Sequence, residues 1–207
     1  MPGWQSQLRT TVVVVGAGHA GLAISACLSM RGIDHVVLER GEVANSWRTE
    51  RWDSLRLLTP NWCSRLPGHG YRGPDPDGFM DMAQTVAFIS DFAHAVSAPV
   101  LTGRRVISVS RHAPGYRVRT DLETWQSRAV VLASGACNLP NVPSHAADLP
   151  SGILSVDTAH YRRPDEPYSG SPAWRSPSRS CSISAGSTTI GFLRTAESEK
   201  RGMSRTS

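Results

Sequence analysis

The stretch Thr11–Glu39, TVVVVGAGHAGLAISACLSMRGIDHVVLE, constrains the fold more than any other part of the chain. Val12, Val13, Val14 and Val15 form a short β-branched run, the composition of a strand buried on both faces. Gly16-Ala17-Gly18-His19-Ala20-Gly21 follows without a break. Leu22–Met30 then predicts a helix, stopped by Gly32, and His35–Leu38 a second apolar strand ending on Glu39. The pattern is strand, glycine-rich turn, helix, strand and acid.

Each part has a physical reason. Gly16 permits a tight turn out of the strand. Gly18 has no Cβ, so a pyrophosphate can reach the backbone there, and Gly21 lets the helix pack close to the strand. The free N–H groups and positive dipole end of the helix then face the phosphates. Glu39 stands 18 residues after Gly21, where a carboxylate can accept from both ribose hydroxyls. A 2′-phosphate would be repelled, which disfavours NADP at this turn. A GxGxxG alone is weak evidence, and the bland alternative is a glycine turn in an ordinary βαβ unit. The strand before, the helix after and the acid at this distance favour a dinucleotide site.

At 207 residues the chain has room for one domain and an appendage. No run approaches the roughly 18 apolar residues of a membrane span. The N-terminal MPGWQSQLRT has no apolar core of a secretory signal. Cys27, Cys63, Cys137 and Cys181 are scattered, which suggests neither a metal site nor a disulfide framework. A cytoplasmic protein with reduced thiols is expected, with no membrane partner. Net charge is +5, but the residues from Arg162 onward hold eight basic and four acidic side chains. That segment lacks interleaved aromatics, so no nucleic-acid partner is expected.

Gly41–Arg48 reads as a polar connection ending in Trp47 and Arg48, and Trp52–Pro60 as a short apolar piece stopped by its proline. Asn61–Gly78, rich in proline and glycine, predicts a loop without elements of its own. Asp81 and Gln84 form a capping-box start to a helix ending before Pro99, with Met82, Val86, Ile89, Phe92, Ala93 and Val96 on its apolar face. Val100–Leu101, Arg105–Arg111 and Tyr116–Thr120 predict short strands of a small antiparallel or mixed layer. Ala129–Gly135 predicts a buried strand ending in small residues, where a ligand can approach the backbone. Beyond Tyr168 eleven of the last 40 residues are serine and no apolar period survives. Disorder is expected there, with Thr188–Leu193 the one candidate for brief order.

In order along the chain these motifs resemble the flavin-containing monooxygenase family, including its YUCCA-like and Baeyer–Villiger relatives. The resemblance rests on VVVVGAGHAGLA with Glu39, on Asn45-Ser46-Trp47-Arg48, and on Trp52-Asp53-x-Leu55-x-Leu57-x-Thr59-Pro60. It continues through Ala129–Gly135 with Asn138-Leu139-Pro140-x-x-Pro143, and Thr158-Ala159-His160-Tyr161-Arg162. It implies an α/β fold: a Rossmann-like FAD-binding lobe over residues 1–166, with a parallel sheet, helices and a small additional β layer, then a disordered tail over 167–207. It implies FAD on Gly16, Ala17, Gly18, His19, Ala20 and Gly21, with Glu39, Arg40 and Val106 on the same cofactor. The flavin end would lie near Trp47, Arg48 and Thr59, and Ala133, Ser134 and Gly135 beside the cofactor. The implied reaction is NADPH-driven insertion of one oxygen atom of O2 into a small organic substrate. The flavin performs the hard step in such chemistry, so no catalytic acid or base is named. His19 and His160 are read as structural.

One departure stands out. Family members carry a second GxGxxG, for NADPH, soon after the Tyr161–Glu166 position; here Pro167-Tyr168-Ser169-Gly170-Ser171-Pro172 occupies it. The chain therefore resembles a truncated first lobe joined to an unrelated tail, as a reading-frame change near Glu166 would produce. A nucleotide-binding module without catalysis is the alternative. A small NAD-dependent dehydrogenase is weakest, because it needs a Tyr-xxx-Lys pair and the only lysine is Lys200.

Overall fold

The computed structural model describes residues 7–135, 140–150, 155–157, 159–163 and 189–191. The chain packs as two units divided between residues 139 and 140. The boundary expected at 166/167 lies outside the described residues.

The first unit is an α/β sheet built from β1 (Gln7–Val15), α1 (His19–Ser29), β2 (His35–Leu38), α2 (Asn45–Thr49), β3 (Arg65–Leu66), β4 (His69–Gly70), α3 (Met82–Ala95), β5 (Val100–Leu101), β6 (Val106–His112), β7 (Gly115–Thr120) and β8 (Thr124–Leu132). The six-stranded sheet runs β5-β2-β1-β8-β7-β6. β5, β2, β1 and β8 are parallel, while β8, β7 and β6 form an antiparallel meander. The valine run is buried on alternate faces, as its composition predicts. Val12 and Val14 pack with Leu22, Ala26, Val37, Ile89 and Phe92 under α1 and α3. Val13 packs on the other face with Val36, Leu38, Val118 and Trp125. Fully buried valine, leucine and phenylalanine side chains each contribute about 1.5–3 kcal/mol, so these two clusters hold the sheet.

The helix boundaries follow local chemistry. Gly32, at φ +63°, ends α1, with Ile33 N–H donating to Leu28 O at 3.0 Å. At α3, Gln84 N–H donates to Asp81 Oδ1 at 2.8 Å and Asp81 N–H to Gln84 Oε1 at 3.0 Å, the expected capping box.

Five expectations need correction. α1 begins at His19, three residues before the apolar period shows it, because Gly18 is its cap. The polar connection holds α2, whose cap Ala44 is buried with φ 61°, a left-handed position for which alanine gives no sequence signal. The proline- and glycine-rich segment contains the β3–β4 hairpin, with Arg65 paired to Gly70. Among the described residues β5, β6 and β7 form no separate layer: β5 adds to β2, and β6 and β7 extend the same sheet from β8 as an antiparallel meander. Finally, β8 starts at Thr124, and its end is not buried, with Leu132 69 % exposed. The register along β1 over Gln7–Val15 sets the length of β8, and no local pattern encodes that partner.

His35 is also more than a strand residue. It is buried, with Nε2 2.8 Å from Ser25 Oγ and Nδ1 2.9 Å from Ile33 O, so the pair ties α1 to β2.

The second unit contains β9 (Ser155–Asp157) paired antiparallel with β10 (Thr189–Gly191). These last three residues are paired and not disordered, since Thr-Ile is a β-forming pair. The rest of the tail expected to be disordered lies outside the described residues.

Candidate functional site

The glycine turn is built by close backbone contacts. Gly16 has φ +104°, and its N–H donates to Leu38 O at 2.8 Å. A Cβ on Gly16 would meet Ala133 O at 2.5 Å, and one on Gly21 would meet Gly16 O at 1.9 Å. Ala133 N–H donates to Val15 O at 2.9 Å. The end of β8 therefore lies directly against the turn, and the two sequence stretches meet there. Gly18 differs from its neighbours, because a Cβ there would meet nothing within 4 Å. Its space is open, as a ligand approaching the backbone requires.

Gly18 caps α1 without a side-chain hydrogen bond, and no acid stands in the first turn. The first helical amides thus have no internal side-chain partner and a positive dipole end. His19 and Ala20 are exposed on this turn, whereas Ala17 is buried beneath it.

Glu39 closes the site. It is 7 % exposed; Oε2 accepts from Ala17 N–H at 2.8 Å and Oε1 from Gly41 N–H at 3.0 Å. Its own backbone is fixed too, with Glu39 N–H donating to Leu101 O and Arg104 N–H to Glu39 O. The carboxylate expected to serve a ribose is thus also a structural acceptor joining the turn to the end of β2. Gly41 is a participant that sequence reasoning missed, although a glycine two residues after the acid was its signal. Ala44 is another: its N–H donates to Ala17 O at 3.1 Å and anchors the start of α2 to the turn.

The remaining expected positions divide. Arg40 is exposed and pairs with Glu50. Trp47 is half-buried against the α1–α3 core, with the Arg51 guanidinium 5.4 Å from its ring centre. Arg48 is exposed; its Nε donates to Val43 O at 3.0 Å and Nη2 to Ser90 Oγ at 3.3 Å, which links α2 to α3. Ser134 and Gly135 continue exposed from Ala133, with Gly135 at φ +87°. Val106 is half-buried on the second core face, two residues beyond Arg104. Thr59 is exposed between Leu57 and Asn61, whose amides donate to Met80 O and Gly78 O. These bonds tie its segment to residues 78–80 and not to the glycine turn.

His160 lies in the second unit, with Nδ1 2.8 Å from an Asp157 oxygen. Burial pushes the Asp157 carboxyl up, but hydrogen bonds from His160 and from the Ala159 and His160 amides, with the His160 charge, hold it below 3.8. The His160 ring is exposed, whereas the Asp157 side chain beside it is largely buried. Two clefts, of about 400 and 430 Å³, lie at Trp62–Tyr71 and at Arg9–Arg128, and neither contains the glycine turn. The turn is the stronger ligand candidate, because an extended dinucleotide lies along a sheet end and needs no deep cavity.

Comparison with known proteins places the chain in a family and a fold. Residues 13–162 match the pyridine nucleotide-disulphide oxidoreductase family. The chain is 31 % identical over 161 residues to an uncharacterized oxidoreductase CzcO-like of Geobacillus kaustophilus, covering 77 % of this chain and 46 % of that protein. It is 32 % identical over 154 residues to the indole-3-pyruvate monooxygenase YUCCA1 of rice (Oryza sativa subsp. japonica), covering 72 % and 38 %. A mutant flavin monooxygenase from Stenotrophomonas maltophilia has a similar structure, with a TM-score of 0.68 and 28 % identity over 76 % of this chain and 47 % of that one. The chain spans less than half the length of each of these proteins. Among the described residues, no helix is long and apolar enough to cross a membrane.

Proposed function

The chain belongs to the pyridine nucleotide-disulphide oxidoreductase family over residues 13–162, and from that premise we propose that it binds FAD at Gly16–Gly21 and forms the FAD-binding lobe of an NADPH-dependent, flavin-containing monooxygenase. The observation that carries this reading is the buried Glu39 carboxylate, held by Ala17 and Gly41 amides beside the open Gly18. When bound, FAD supplies the two-electron redox and oxygen chemistry.

The residues of this chain bind and orient. The diphosphate sits over Gly18, where no Cβ intervenes, and takes N–H donors from the first turn of α1. The free lone pairs of Glu39 accept from the ribose hydroxyls and repel a 2′-phosphate. Ala133, Ser134 and Gly135 flank the cofactor, and Arg40, Trp47, Arg48, Thr59 and Val106 complete the proposed set. The substrate is a small organic molecule and the proposed location is the cytoplasm, which four scattered cysteines support. Purification of the chain and measurement of bound flavin by absorbance tests the reading. Stoichiometric FAD is expected; tight NADP with no affinity for FAD would overturn it.

A second reading, FAD binding without turnover, has its own observation. Between Pro164 and Ser207 the only glycines are Gly170, Gly186, Gly191 and Gly202, and none is spaced as GxGxxG. Where nothing holds a nicotinamide against the flavin, hydride transfer loses several powers of ten in rate. Stopped-flow reduction by NADPH separates the two: slow, unsaturable reduction favours the binding module, and rapid saturable reduction the enzyme.

A further inference from the structure

Residues 102–105, between β5 and β6, are bonded on one side to the end of β2 and on the other to the turn between β7 and β8. On the first side Arg104 N–H donates to Glu39 O at 2.8 Å and Gly103 N–H to Gly41 O at 3.2 Å. On the second, Arg105 N–H donates to Asp121 Oδ1 and Asp121 N–H to Arg105 O, both at 3.1 Å. The Arg104 side chain joins the two sides: its Nε donates to Glu123 Oε1 at 3.0 Å and to Oε2 at 3.1 Å. Glu123 is buried, and its Oε1 also accepts from Trp125 Nε1 at 3.3 Å. Its backbone is held by Thr120, whose N–H and Oγ1 donate to Glu123 O at 2.9 and 3.0 Å. Trp125 belongs to the same core cluster as Leu38, the residue before Glu39.

Stability alone does not call for a charged pair in this place, since well-packed apolar side chains of similar size hold a fold as well. What the pair adds is direction. It fixes Arg104, and the Arg104 N–H in turn fixes the carbonyl of the residue whose carboxylate accepts from the ribose in the FAD reading. We propose that Arg104 and Glu123 are positioning residues that set the Glu39 carboxylate for the ribose hydroxyls. Both act through Glu39 and lie outside the glycine turn. The inference rests on the FAD reading and deepens it.

Calorimetric titration of the flavin-free full chain with ADP and with 2′-deoxy-ADP tests this. The ratio of the two affinities reports the bond to the 2′-hydroxyl. Wild type is expected to favour ADP at least ~10-fold, the scale of a hydrogen bond to a charged acceptor. In the double variant Arg104→Met, Glu123→Gln, which strands no buried charge, the ratio should fall to ~3-fold or less as that bond is lost. A pair that only holds the fold together would weaken both ligands alike, and an unchanged ratio would overturn the proposal. Glu123→Gln alone leaves Arg104 one acceptor and should give an intermediate ratio; it keeps the test decisive if the double variant does not fold, and an unchanged ratio there overturns the proposal equally. Wild type that binds FAD but does not prefer ADP over 2′-deoxy-ADP would overturn this inference and leave the FAD reading standing. Wild type that binds neither FAD nor ADP would overturn both.

Discussion

Gly21 packs so closely on Gly16 that a Cβ added to it would lie 1.9 Å from the Gly16 carbonyl oxygen. The obstacle is backbone, so α1 must move away from β1 to admit a methyl group. Gly21→Ala is expected to cost about 2–3 kcal/mol, the scale of core overpacking, and to lower Tm by about 5–10 °C in a chain of this size. Thermal unfolding followed by circular dichroism checks it.

Gly18 belongs to the same fingerprint but predicts the opposite signature. Nothing stands within 4 Å of a Cβ there. Gly18→Val should change stability by no more than about 1 kcal/mol, the loss of a glycine cap. FAD affinity should fall at least ~100-fold, about 2.7 kcal/mol, because the side chain fills the diphosphate position. Equilibrium dialysis with FAD beside a denaturation curve separates binding from folding; unchanged FAD affinity would remove the diphosphate from this turn.

The contrast between these glycines marks the limit of sequence reading. The spacing of Gly16, Gly18 and Gly21 after a valine run was legible because each position answers a local steric demand. The Asp81–Gln84 cap was legible for the same reason. What was not legible depends on partners far along the chain. The exposure of Leu132 follows from how far β8 follows β1, and the Ser25–His35 bond from how α1 lies on β2. The second task of Glu39, accepting from Ala17 and Gly41, needed the turn and β2 in three dimensions.

In the second unit, the Asp157 carboxyl is held below its ordinary 3.8 because hydrogen bonds from His160 and nearby amides outweigh burial. A depressed acid contributes stability that is present above its unfolded value and lost as pH falls through the folded one. The bonds of the Asp157 carboxylate to Ala159 and His160 should therefore weaken only as pH falls below that ordinary value. His160→Ala is expected to move the Asp157 carbon-detected NMR titration up toward 3.8, with little effect on overall stability, because the His160 side chain is solvent-exposed.

Glu39 combines both roles, and its substitution tests whether they can be separated. Both carboxylate oxygens accept backbone N–H groups, at 2.8 and 3.0 Å, and the residue is buried. In Glu39→Gln one acceptor becomes an NH2 group that must face an N–H, from either Ala17 or Gly41. A bond to a charged acceptor is lost and a buried donor is left unpaired, so a cost of about 1.5–3 kcal/mol is expected even without ligand. The ribose acceptor also weakens, so FAD affinity falls in the same variant, and NADP is no longer repelled by charge. Glu39→Gln should thus lower both apo-protein stability and FAD binding, whereas Gly18→Val lowers binding alone. Urea unfolding of the ligand-free variants, followed by FAD and NADP titrations, gives the comparison. Loss of FAD binding in Glu39→Gln with wild-type apo stability would show that the Ala17 and Gly41 bonds hold nothing together.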